Sequence, residues 1–199
     1  MFSRITSVLG PKIRNSNSYG GNDDERKKTQ VGAAAKDYCS AAQIYFKHNA
    51  DGLSVSSAVN DVTPETLSSY IPDHNGTLPD GVTIKGISVM LESDNTLRLY
   101  FDFNGVEANS FSYAIDNTPA DLIMRSDGLY YLALNQGVWS DHLQDAHTYS
   151  VSDGTNTYTV TASVLTYAHA YTIRGKENES SLGKALYLYN QAAVAAFKN

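Results

Sequence analysis

Apolar residues recur at helical spacing near both ends of the chain and at two-residue spacing between them. From about Gly32 to Asn49, Tyr38, Ala41, Ala42, Tyr45 and Phe46 fall at i, i+3, i+4, i+7 and i+8, one face of a helix. "NADG" at 49–52 supplies its stop. The period then changes. "GISVMLES" alternates Ile87, Val89 and Leu91. "TLRLYFDF" sets Leu97, Leu99, Phe101 and Phe103 against Arg98, Tyr100 and Asp102. With "SDN" between them, the two runs predict a hairpin. "NSFSYAID" and "DGLYYLAL" read as further strands. "HTYSVS" and "TYTVTASV" flank "DGTN", a second hairpin around Asp153-Gly154.

After this the helical period returns. "ASVLTYAHAYTI" at 162–173 places Val164, Tyr167, Ala168 and Tyr171 on one face. "RGKENE" breaks it. Ser180 or Ser181 is expected to cap a last helix with the face Leu182, Ala185, Leu186, Tyr189, Ala192, Ala193, Ala196 and Phe197. The predicted fold class is mainly β with flanking helices (α+β): an antiparallel immunoglobulin-like or fibronectin-like sandwich with an N-terminal helix and two C-terminal helices. Residues 1–31 read as a disordered or appended segment, because "NSNSYGGNDDERKKTQ" is polar and charged with no apolar period. Residues 32–199 form the module: a leader helix at about 32–49, a sandwich at about 53–162, and helices at about 163–173 and 180–198.

Two phrases stand out. "YCSAAQIYF" (Tyr38 to Phe46) and "YNQAAVAAF" (Tyr189 to Phe197) share the spacing of aromatics and paired alanines. The likeness suggests a tandem repeat in which the helix ending one sandwich leads into the next. On that view the first and last helices make similar contacts.

Composition narrows the function. The net charge of −6 and scattered basic residues argue against nucleic acid, which wants clustered Lys and Arg. The single Cys39 excludes an intramolecular disulfide framework. Fourteen Tyr among many Asn, Ser and Thr point outside the cell. No run approaches the roughly 20 apolar residues of a membrane span, so no membrane insertion is expected. The start, "MFSRITSVLGPKIRNSN", is interrupted by Pro11 and Lys12 before it makes a signal core of about 7–15 residues, so any export signal lies outside this chain.

"LGKALYLYNQAAVAAF", "TLRLYF", "GLYYLAL" and "TYTVTASVLTYAHAY" resemble phrases of a repeated helix/β-sandwich module in uncharacterised surface proteins of gut Firmicutes, where a phrase like LVKALYLYNQAANAYF closes the module. "AAAKDYCSAAQIYFKHNADGL" is similar to the phrase that opens it. The resemblance covers about 32–199 and leaves out 1–30. It implies extracellular or cell-surface display and neighbouring modules in a longer chain, and it brings no catalytic residues with it.

Candidate chemistry is sparse. There is no G-x-S-x-G elbow, P-loop, HExxH or CxxC, and no cofactor is indicated. His142 and His147, with Asp141 and Asp145 beside them, fit no common metal template and read as a solvated loop. His169 reads as a core-edge or surface residue, and Cys39 as a small packing residue. "DGTN" and "SDN" hold calcium-friendly oxygens but lack the EF-hand pattern, and Asx turns explain them.

The candidate binding residues are Arg98, Tyr100 and Asp102 on the outward face of one strand, Tyr131 on another, and Trp139 in a loop. Aromatic rings beside Arg and Asp form a platform for a sugar. Against this, the helices must seat somewhere, and Trp139 can simply plug the end of the sandwich.

Three functions follow. The first is a non-catalytic extracellular module for display, adhesion or binding of a glycan or host protein. The second is a structural spacer repeat. The third is a carbohydrate-active enzyme fragment, which needs two carboxylates facing each other across a cleft. Asp102, Glu107, Asp116 and Asp121 are available for that, but no pair is marked.

Overall fold

The computed structural model describes residues 22–91, 95–174 and 176–198. In chain order the helices and strands are α1 (Asn22–Phe46), α2 (Ser57–Asp61), β1 (Asp73–Gly76), β2 (Val82–Leu91), β3 (Asn95–Phe103), β4 (Ser112–Ile115) and β5 (Thr118–Pro119). They continue with β6 (Ile123–Met124), β7 (Tyr130–Ala133), β8 (His147–Ser152), β9 (Thr157–Ala162), α3 (Val164–Ile173) and α4 (Glu177–Phe197). The strands form two antiparallel sheets, of order β2-β3-β7-β6 and β1-β9-β8-β4-β5.

The predicted alternation sets the inner faces. Leu97, Leu99 and Phe101 of β3 are buried, with Leu132 of β7 paired to Leu99 and Val89 of β2 paired to Leu97. Tyr149, Val151, Val160 and Ala162 supply the facing layer from β8 and β9. Two contacts join the layers. The Tyr149 hydroxyl donates to the Leu97 carbonyl at 3.0 Å, and the rings of Phe101 and Tyr113 meet edge to face at 6.1 Å. One buried core continues from these residues into the helices, so the architecture is an α+β sandwich with an N-terminal helix and two C-terminal helices.

The helices pack chiefly on one another. Tyr38 of α1 meets Tyr189 of α4, while Tyr45 bonds the hydroxyl of Tyr171 at 3.1 Å, near the end of α3 and just before α4 begins. Hence α1 runs antiparallel to α4. Between α3 and α4 the approach is closer still: a Cβ on Gly183 would lie 2.4 Å from the Ala168 carbonyl oxygen.

Three expectations are corrected. The first helix begins at Asn22, ten residues before the expected boundary at 32. Residues 22–30 carry no apolar period, yet Asp23, Asp24 and Glu25 oppose the dipole in the first turn and Asp23 pairs with Arg26 at 2.6 Å. The packed helix behind them provides the costly nucleus. What was expected of residues 1–21 lies outside the described residues, as do Ser93 and Asp94 of the "SDN" turn. The last helix begins at Glu177 without a side-chain cap, not at Ser180 or Ser181. Ser163 is the residue that caps, in a box with Thr166 at the start of α3. Phe46 is half exposed and edges Tyr45 instead of entering the core.

Candidate functional site

Outward-facing β3 residues form the first candidate surface. Register pairs Arg98 with Ser88 and Ala133, and Tyr100 with Gly86 and Tyr131. The Tyr100 and Tyr131 rings lie 5.4 Å apart at 41°. The Arg98 guanidinium sits over Tyr131 at 4.5 Å, and that of Arg125 lies 5.6 Å from the Tyr100 ring centre. Arg125 is itself held by the Asp127 carboxylate. Asp102 pairs with Lys85 at 3.1 Å across the bulge in β2.

Thus Arg98, Tyr100 and Tyr131 come together as expected, with Arg125 added. Tyr100 is not an open ring, however: it is 9% exposed, although parity puts it on the outer face. Burial pushes its phenol pKa up, but hydrogen bonds from Ser88, Arg98 and Arg125 outweigh that and leave it lowered.

Trp139 lies elsewhere, in an open cleft of about 410 Å³ whose lining includes none of those four residues. The cleft is built by two turns. One is the β4–β5 hairpin, where Asp116 and Asn117 take φ of 51° and 64°. Asp and Asn tolerate that left-handed pair, as a type I′ turn demands. The other is the loop after β7, where Ser140–His142 form a short 3-10 turn.

Each turn carries an imidazole–carboxylate pair. His147 Nδ1 donates to Asp116 Oδ2 at 2.7 Å, and the Thr148 amide donates to Asp116 Oδ1 at 2.8 Å. His142 Nδ1 donates to Asp145 Oδ2 at 2.5 Å, while Gln144 Nε2 and Lys198 Nζ reach Asp145 Oδ1 at 3.0 and 3.2 Å. Burial raises both carboxyls, but these donors prevail, and Asp116 and Asp145 are held below the usual carboxylate range.

The second turn is riveted to α4. Buried Asn190 donates to the Ser140 carbonyl at 2.7 Å and to Gln144 Oε1 at 2.6 Å. The expected solvated loop is therefore corrected: Asp141 is 1% exposed and Ser140 2%. Asp141 Oδ2 has no hydrogen-bond partner among the described residues and lies 3.6 Å from His142 Nε2.

Sequence reasoning singled out Trp139, both histidines and Asp116 separately, but did not join them. The signal for joining was "DN" at 116–117, a hairpin tip that turns Asp116 toward the β8 residue His147.

The cleft thus offers one indole, two anionic carboxylates, two oriented imidazoles, the amides of Asn135 and Gln136, and apolar walls from Pro119, Leu134 and Val138. It suits a small polar ligand with an apolar face. Thr118 carries the one hydroxyl in the lining and makes no hydrogen bond to either imidazole among the described residues. Among the described residues no group of three or more His, Cys, Asp or Glu could hold a metal ion, and no helix is long and apolar enough to cross a membrane. Cys39 is half buried beside Tyr38, and burial raises its thiol pKa.

No family model, curated protein or solved structure matches this chain.

Proposed function

We propose that this chain is a non-catalytic extracellular module that binds a glycan in the Trp139 cleft. The supporting observation is the grouping of half-buried Trp139 with two anionic carboxylates and the Asn135 and Gln136 amides around one open cleft. An indole covers the apolar face of a sugar ring, and amides and carboxylates bond its hydroxyls. We read the sandwich as immunoglobulin-like or fibronectin-like, and the resemblance to gut Firmicutes surface modules supports display at a cell surface with neighbouring modules in a longer chain.

The test is calorimetric titration of the full chain with a panel of plant polysaccharides and mucin glycans. A hit should lose about tenfold or more in affinity in Trp139→Ala. Binding unchanged by that substitution, or none across the panel in a folded protein, overturns the reading in favour of a protein-contacting or spacer module.

The two imidazole–carboxylate pairs favour a second reading, a carbohydrate-active enzyme. Each pair orients an imidazole as a general base does. Release of reducing ends from any panel member, lost in His147→Ala, would establish it.

A further inference from the structure

Resting on the glycan reading, we propose that the ligand is an anionic polysaccharide and that Arg98 reads its charge. Three cations stand on the outer face of the four-stranded sheet and its edge. Lys85 is neutralised by Asp102 and Arg125 by Asp127. Among the described residues no carboxylate pairs with Arg98, and its Nε is buried with no acceptor. A guanidinium whose hydrogen bond goes to the Tyr100 hydroxyl, with no carboxylate beside it among the described residues, asks for an explanation, all the more in a chain of net charge −6.

Stacking on Tyr131 satisfies the flat face of the guanidinium and Tyr100 takes one N–H donor, which leaves the other terminal N–H groups for an oxyanion. Stacking also fixes the side chain in advance, so little rotamer freedom remains to be lost on binding. A planar fork of N–H donors matches a carboxylate or a sulfate ester.

The place fits as well as the chemistry. Arg98 is paired with Ala133, the last residue of β7. The next two residues, Leu134 and Asn135, line the Trp139 cleft. Two residues span at most about 7 Å and neighbouring strands lie about 5 Å apart, so a chain leaving the cleft passes Arg98 within a sugar unit or two.

The test compares charged and neutral forms of the same backbones with the full chain by calorimetry. Polygalacturonate is set against its methyl ester, and dextran sulfate against dextran. The expected result is that one charged member binds about tenfold tighter than its neutral counterpart, and which one identifies carboxylate or sulfate. Arg98→Gln should abolish that preference, and Arg98→Lys should restore only part of it, because an ammonium lacks the fork. Equal binding of charged and neutral chains, or a preference that survives Arg98→Gln, overturns this inference while the cleft reading stands. Binding of none of these or of the wider panel overturns both.

Discussion

Tyr38 and Tyr189 occupy the same place in the two like phrases, and in the folded chain their rings stack on each other, 5.7 Å apart and 4° from parallel. The shared phrase is thus a shared interface within one chain. Buried Ala41 and Ala42 follow the first ring by three and four residues, and buried Ala193 follows the second by four. Two helices in close approach each need a ring to stack and small residues beside it. The repeat reading expected the two helices to make similar contacts; in the folded chain they contact each other.

Removing either ring should cost about 3 kcal/mol or more, since both are buried and an aromatic deletion leaves a large cavity. Tyr189→Phe should be close to neutral, because the hydroxyl it removes is buried and makes no hydrogen bond among the described residues. Tyr149→Phe should cost about 1 kcal/mol, because it removes the buried hydrogen bond to the Leu97 carbonyl, which keeps only the longer one from the Leu134 amide. Urea unfolding of the four variants checks the order.

Gly183→Ala should destabilise the protein, against the roughly 1 kcal/mol by which alanine ordinarily improves a helix. The new Cβ would meet the Ala168 carbonyl oxygen at 2.4 Å and Thr172 Oγ1 at 2.9 Å, forcing α3 away from α4. A lower thermal midpoint is expected. A higher one would mean that the two helices can separate freely.

Asn190→Ala should loosen the cleft wall as well as the fold. It leaves the Ser140 carbonyl and Gln144 Oε1 without their donor, at about 1–3 kcal/mol each when buried. Trp139 is the one tryptophan in the chain, so its emission reports the wall directly. A red shift in the folded variant is expected, and an unchanged spectrum would detach the loop from α4.

Acid should weaken the fold through Asp116 and Asp145. Both have folded pKa values below the ordinary 3.8. Such a group stabilises the fold above its unfolded value and loses that contribution as pH falls through the folded value. The urea midpoint should therefore fall as pH drops below about 4, and less steeply in Asp116→Asn. Equal slopes would mean that the His147 pair contributes nothing.

The inner face of β3 was legible because two-residue parity is set by the backbone alone, and Leu97, Leu99 and Phe101 are where it puts them. Tyr100 was not legible as a buried ring. Arg125, 25 positions later, folds over it, and parity says nothing of what a distant loop covers. The start of α1 was missed for a related reason: hydrophobic period detects burial, and residues 23–30 are helical while mostly exposed. The cleft was hidden because its pieces lie on separate turns. Asp116 and His147 stand 31 positions apart, and only the pairing of β4 with β8 brings them together.

The antiparallel run of α1 and α4 has a mechanical consequence. Their outer ends, Asn22 and Phe197, lie on the same side of the module, with α1 overshooting by about 12 Å at 1.5 Å per residue from the stacked tyrosines. Tension applied through those two ends would open the pair one turn at a time, as a zip opens. It would not load all its contacts together, as a shear does. The helices would yield at low force, and because Lys198 and Asn190 hold Asp145, Ser140 and Gln144, the cleft wall would loosen as α4 peels away.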